Sequence, residues 1–194
     1  MCSPASFVLT KDFVFWSMKT DSHEDIIAEH NLHQDGVRGP NVLRVEVTPP
    51  NGDFSTDSSE WKYRLDQDIM PAWHDAEKDE TRARLALKDW IAARVIRAAA
   101  KRECRDGVFF AFDHSTVKAF DHSTITACDH STVMARDHST ITACDHSTVM
   151  ARDQSTVEAF GQSTVNQYSG AVKPPIENAV VIDRRNGKPI VVTA

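Results

Sequence analysis

Residues 111–166 read AFDHSTVK, AFDHSTIT, ACDHSTVM, ARDHSTIT, ACDHSTVM, ARDQSTVE and AFGQSTVN, which are seven octads in register without an insertion. The octads also alternate in kind, because ACDHSTVMARDHSTIT from Ala127 is followed by ACDHSTVMARDQSTVE from Ala143. The larger period is therefore sixteen residues, or two octads. A repeat this strict is interpreted first, since it decides the fold of the region that contains it.

The even period predicts extended chain. Strand side chains alternate between two faces, so a period of eight keeps each place of the octad on one face, whereas the face of a helix would drift. Small or β-branched residues at places one, five and seven are predicted to point inward, as at Ser115, Val117, Ser123 and Ile125. The even places, including Thr116, Thr124 and the histidines, are predicted to point outward. Asp and His at places three and four indicate a turn, because Asp bonds nearby backbone amides readily.

Stacked octads of this kind predict a short parallel β-solenoid with 16-residue coils of two octads each. Coils stack about 4.8 Å apart, so residues sixteen apart form ladders along two principal faces. The predicted ladders of one face are Phe112, Cys128, Cys144 and Phe160; His114, His130 and His146; Thr116, Thr132, Thr148 and Thr164; and Met134 with Met150. The opposite face carries Phe120, Arg136 and Arg152; His122 and His138; and two columns rich in Thr.

The rest of the chain lacks this period and predicts three parts: an α+β capping domain at 1–104, the β-solenoid at 105–172 and a C-terminal β-hairpin cap at 173–194. In the first part, 7–18, 43–47 and 61–66 favour strands, a short helix is expected after Asp21 or Ser22, and 75–101 favours a long amphipathic helix. Arg97, Lys101 and Arg102 would lie at the end of that helix. Asn186–Gly187 between two apolar runs predicts the hairpin, which would cover an edge that otherwise recruits another chain.

Composition excludes several classes of protein. The chain is 41% hydrophobic and 26% charged with a formal net charge of −6, which is typical of a soluble globular protein. No basic excess is present to neutralise phosphates, so direct nucleic-acid binding is not expected. No stretch approaches the ~20 apolar residues that span a bilayer, so no membrane partner is expected. Four cysteines are too few for a disulfide-rich secreted domain, which favours free thiols and a cytoplasmic location.

The octad A-x-x-x-S-T-x-T, clearest at 119–126 and 135–142, is similar to the central repeats of bacterial ice-nucleation proteins. This resemblance covers about the last third of the chain and implies a β-solenoid. The segments FWSMKTDSHEDIIAEH, RVEVTPPNGD and WKYRLDQD of the first half resemble uncharacterised bacterial and prophage proteins that end in comparable octad arrays. That second resemblance implies no activity.

The most specific chemical pattern is Cys-Asp-His, which occurs twice, sixteen residues apart. Cys128, His130, Cys144 and His146 are all outward by parity and stack on adjacent coils, so they form a candidate metal site. Thiolate and imidazole suit zinc, and Met134 and Met150 on the same face would also suit copper(I). Duplication of the repeat explains the same pattern without a metal or any other cofactor.

Other ladders suggest weaker candidates. Thr124, Thr126, Thr140 and Thr142 form an outward threonine array like those of ice-binding solenoids, although exposed Thr also simply favours strands. Stacked histidines beside aspartates could respond to pH, and the regular aspartate ladder could mimic nucleic acid. No catalytic motif is found. His23 with Glu24 and His74 with Asp75 could act as acid and base, but such residues more often cap helices.

These observations favour a non-enzymatic β-solenoid that acts as a binding or assembly module. Ladders with Phe, Cys and Met are apolar enough to pair, so we expect a homodimer that uses a solenoid face or the C-terminal end. Another protein partner is left open. The alternatives are a metal-binding solenoid, an acidic mimic of nucleic acid and an ice-binding face.

Overall fold

The computed structural model describes residues 5–36, 39–54 and 56–193. The chain forms two compact units, Met1–Ala93 and Arg94–Ala194.

The first unit is an α+β fold around a four-stranded antiparallel sheet of order β2-β1-β5-β6. Its strands and helices are β1 (Ala5–Leu9), β2 (Val14–Phe15), α1 (His23–Glu29), β3 (Asp35–Gly36), β4 (Gly39–Pro40), β5 (Leu43–Thr48), β6 (Lys62–Leu65) and α2 (Ala76–Arg94), with short 3-10 helices at Pro50–Gly52 and Ser58–Glu60. Strands form in all three predicted regions and both predicted helices are present, but 7–18 holds two antiparallel strands, β1 and β2, where one was expected. The Ser22 side chain accepts a hydrogen bond from the Asp25 amide at 3.3 Å, which is the predicted cap of α1.

Large side chains fill the core of this unit. β5 alternates buried and half-buried residues, as a strand with one covered face should. Phe54 stacks on Trp90 of α2, and Trp61 meets both rings edge-on. Trp61 and Trp90 are almost completely buried, so α2 is anchored by aromatic packing.

The second unit is a β-solenoid with two walls whose strands are parallel, except for the antiparallel β19. One wall has seven strands in the order β19-β18-β16-β14-β12-β10-β8, and the other has six in the order β17-β15-β13-β11-β9-β7. The strands are β7 (Val95–Ile96), β8 (Lys101–Arg105), β9 (Val108–Ala111), β10 (Thr116–Phe120), β11 (Thr124–Ala127), β12 (Thr132–Ala135), β13 (Thr140–Ala143), β14 (Thr148–Ala151), β15 (Thr156–Ala159), β16 (Thr164–Gln167), β17 (Ala171–Val172), β18 (Val180–Asp183) and β19 (Ile190–Thr193). Each turn takes one strand from each wall, which gives six turns from β7 to β18. The predicted solenoid and its hairpin of β18 and β19 are confirmed, but β18 also pairs in parallel with β16, so the solenoid reaches Asp183 and not the boundary expected at 172.

Within the octads the inward and outward places are as the alternation predicts, except at Phe112, which was expected on an outer face and is buried. Thr124 of β11 pairs with Thr140 of β13, and Thr132 of β12 with Thr148 of β14, so identical residues stack one turn apart. In the octads the core consists mainly of Ala, Ser and Val or Ile, with every octad serine fully buried, whereas the turns before them also bury Phe109 and Phe110. The threonines at place six lie on the outer surface.

The solenoid begins earlier than the repeat predicts. The long helix expected to reach residue 101 ends at Arg94, and the chain enters β7 at Val95, before the boundary expected at 105. Ala98 and Ala99 turn the chain with φ of 56° and 57°. Arg97, Lys101 and Arg102 therefore do not form a helix end, because Lys101 and Arg102 lie in β8 and pair with β10. Burial of Ile96 and Cys104 against the next turn outweighs the helix propensity of Ala, Lys and Arg.

Candidate functional site

The corners of the solenoid are built by the octad aspartates. All six lie in the left-handed region with φ between 52° and 57°, which Asp adopts more readily than most residues. The Ser131 amide closes one such turn by donating to the Cys128 carbonyl at 3.2 Å. The turn predicted at the Asp-His places of the octad is therefore confirmed.

The aspartate carboxylates also link one turn to the next. The Asp121 amide donates to Asp137 Oδ2 at 3.3 Å, and the Asp129 and Asp137 amides donate to Asp145 and Asp153 at 3.4 Å. The Gly161 amide donates to Glu177 in the same way, at 3.1 Å. The aspartate ladder, considered above as a mimic of nucleic acid, thus has a direct role in holding the corners together.

The cysteine ladder is the chemically most distinctive part of this surface. Cys128 and Cys144 lie on adjacent turns with their Cα atoms 4.7 Å apart, and their sulfurs form a disulfide. The free thiols expected at these two positions are therefore not observed. Cys104 is the free cysteine among the described residues; it is buried, and burial raises its pKa to about 11.

The histidines form ladders of their own. The rings of His114, His130 and His146 stack with centroids 4.8 and 5.0 Å apart, and His122 stacks on His138 at 5.3 Å. These rings lie at exposed corners. The structure thus brings His130 next to His146 and Cys128 next to Cys144, as the sixteen-residue period requires.

The structure does not bring the two pairs together into one group of close ligands. In the described part of the chain, the one group of three metal-ligating side chains whose ligand atoms all lie within 4.8 Å consists of Cys128, Cys144 and Asp145. Asp145 was missing from the predicted set. Asp145 lies at the predicted turn of the octad. Strand alternation predicts which way a side chain points in a strand, but not at a turn.

The predicted threonine array is two turns deep. Thr124 pairs with Thr140 and Thr126 with Thr142, all pointing outward. The next residue in the second column is Glu158, which forms an ion pair with Lys173. A charge pair therefore borders the array, and its regular hydroxyl surface is small.

The C-terminal hairpin creates an exposed apolar edge. β19 pairs antiparallel with β18 and is the last strand of the seven-stranded wall, one strand beyond the six-stranded wall. All four residues of β19 are exposed, and three of them are apolar: Ile190 is exposed by 55%, Val191 by 61% and Val192 by 42%. The hairpin motif alone does not predict this edge. The exposure of β19 also depends on how many strands each wall contains, which the motif does not show.

His23 and His74, the two candidate acid–base histidines of the first unit, both contact groups of that unit. His23 is buried, contacts the Val45 carbonyl at 3.1 Å and lies 3.3 Å from Asp66. His74 contacts Asp79 at 2.9 Å, whereas sequence analysis paired it with Asp75.

Asp79 organises the start of α2. Burial alone would raise its pKa, but hydrogen bonds from the Asp75 amide, His74 and Arg82 outweigh burial and hold the pKa below its ordinary value. Arg82 also donates to the carbonyls of Thr10 and Phe13. The network therefore ties α2 to the β1–β2 connection.

Fold and surface together define a β-solenoid protein with a separate α+β unit. Comparison with protein-family models, with curated proteins and with solved structures gives no match. Within the residues described, no helix is both long and apolar enough to cross a membrane.

Proposed function

We propose that this chain is a non-enzymatic assembly module that forms a homodimer through the outer edge of β19. The observation that carries the proposal is the apolar edge strand at Ile190–Thr193, which extends one strand beyond the opposite wall. An unpaired strand edge presents free amide and carbonyl groups and is a template for pairing with another chain. β19 covers the edge of β18, but its own outer edge is left without a neighbouring strand.

A second copy of the chain is the occupant that fits this edge best. Two β19 strands related by a twofold axis pair antiparallel, and each then supplies the same apolar residues to the contact. Such a contact is closed, so it ends at the dimer and does not continue into a fibre.

Burial favours the same contact. A strand with one covered face exposes every second side chain, but Ile190, Val191 and Val192 are all exposed. Pairing of two copies would remove part of this apolar surface from water. A contact centred on a four-residue strand is small, so we expect dissociation in the micromolar range.

The test is the mass of the protein in solution as its concentration is raised. We expect the intact chain to become dimeric at high micromolar concentration and Val191→Lys to stay monomeric, because a charge on an edge strand opposes pairing. Leu85→Lys is the matched control, since Leu85 is a similarly exposed residue of α2, in the other unit. The proposal is overturned if the intact chain is monomeric throughout, or if Leu85→Lys and Val191→Lys weaken the dimer equally.

A further inference from the structure

We propose that reduction of the Cys128–Cys144 disulfide opens a binding site for a thiophilic divalent cation, zinc being the physiological candidate, with Asp145 as the third protein ligand. The proposal rests on the grouping of these three side chains within 4.8 Å on one corner of the solenoid. It is independent of dimer formation at β19.

The backbone holds the two cysteines together whether or not their sulfurs are bonded. The Cys144 amide donates to the Ala127 carbonyl at 2.8 Å, and the flanking strands β12 and β14 pair in parallel register. Strands in a sheet lie about 4.8 Å apart, so the ladder itself sets the spacing of these residues. Two thiolates presented at that spacing can reach one ion with bonds of about 2.3 Å.

Asp145 supplies an oxygen ligand beside the sulfurs. It follows Cys144 directly at the corner, and its Oδ2 accepts the Asp129 amide at 3.4 Å, which orients the carboxylate toward the neighbouring turn. Zinc takes Cys and Asp ligands together in tetrahedral sites, and a water molecule can occupy a fourth position. The corner is partly exposed, so an ion can enter from solvent.

Reduction is required because a disulfide has no thiolate to offer. A dithiol reductant supplies the two electrons. One of its thiolates attacks a sulfur of the protein disulfide and forms a mixed disulfide with it. The second thiol of the reductant then displaces the protein sulfur, which leaves two protein thiols and an oxidised reductant with an internal disulfide. Binding of the divalent ion displaces one proton from each thiol. The site is therefore closed when oxidised and open when reduced.

The experiment compares the oxidised and reduced full chain in titrations with zinc and with cadmium. We expect the reduced chain to bind one equivalent of zinc with proton release, to show a sulfur-to-cadmium charge-transfer band and to protect two thiols from alkylation. We expect the oxidised chain to do none of these. Absence of binding by the reduced chain overturns the proposal.

Variants identify the ligands. Cys128→Ser should abolish binding, whereas Cys104→Ser should leave it unchanged because that thiol is buried elsewhere. Asp145→Asn should weaken binding about tenfold or more, whereas Asp129→Asn, the same corner one turn earlier, should have little effect. Equal losses for these two aspartate variants would overturn the role of Asp145.

One further variant separates this ligand set from the one predicted by sequence. His130→Gln introduces the residue that the octads at 151 and 159 already carry at this place, so the fold should tolerate it. We expect unchanged zinc affinity. A loss as large as that of Cys128→Ser would show that the histidines are ligands and would overturn the site as stated.

Discussion

The two units of the chain form their cores in opposite ways. The first unit buries a few large side chains, including Trp61 and Trp90. These positions are not part of a repeat, so each side chain packs in an environment of its own. The solenoid buries many copies of Ala, Ser, Val and Ile, and each turn packs only on its two neighbours. A single lesion should therefore affect the whole core of the first unit but only one turn of the solenoid.

The largest effect is expected at Trp90. Trp90→Ala removes a ring that contacts both Phe54 and Trp61, and a buried aromatic residue replaced by Ala costs about 3–5 kcal/mol. Denaturant unfolding followed by tryptophan fluorescence measures this loss. Leu85→Ala is the control on the exposed side of the same helix and should change the free energy of unfolding by less than ~0.5 kcal/mol. Equal effects of the two variants would contradict the role given to the aromatic cluster.

An intermediate effect is expected at Asp79, where the first unit depends on a charge and not on packing. Asp79→Asn weakens hydrogen bonds with His74 and Arg82, and bonds to a charged group contribute about 1.5–3 kcal/mol each.

The pKa of Asp79 is lowered in the folded chain, so its contribution is complete above the ordinary carboxyl range and is lost as the pH falls through the lowered value. The difference in stability between the intact chain and Asp79→Asn should therefore shrink in acid. Asp89→Asn, exposed on the same helix, is the control. A difference that does not change between neutral pH and about pH 2 would contradict the assignment.

The smallest effect is expected in the serine columns of the solenoid. The Ser139 hydroxyl is fully buried and has no hydrogen-bond partner within the described residues, and the same holds for the other six octad serines. Ser139→Ala should therefore leave stability unchanged or raise it by up to ~1 kcal/mol. Ile141→Ala, in the same turn, should cost about 2–5 kcal/mol. Thermal unfolding compares the two, and a large loss for Ser139→Ala would reveal a hydroxyl contact that the structure lacks.

Most of the solenoid follows from its sequence because each place of the octad has one environment. The inward serines, the outward threonines and the turn at Asp could all be predicted from alternation and from the backbone preference of Asp. The turn formed by β7 and β8 could not, because residues 95–105 do not carry the octad and are rich in helix-forming residues. Its strand conformation comes from pairing with β9 and β10, which is a tertiary effect.

The candidate surfaces were predictable in part for a related reason. The period brings Cys128 to Cys144 and His130 to His146, but it does not fix the direction of a side chain at a corner. Asp145 therefore joins the sulfurs where histidine was expected. The hairpin at Asn186–Gly187 could be predicted. The exposure of β19 could not, because it depends on the number of strands in the opposite wall.

Because two octads make one turn, the length of this array can change cleanly only in whole sixteen-residue units. Loss of the unit 127–142 would leave every remaining octad in its own wall, whereas loss of a single octad would move all later octads to the opposite wall. In that case Cys144 would enter the column that now holds the arginines. The segments 127–142 and 143–158 are nearly identical, as duplication of one such unit would make them. Each of these two units contains one cysteine, so the cysteine pair exists only because two copies of the unit are adjacent.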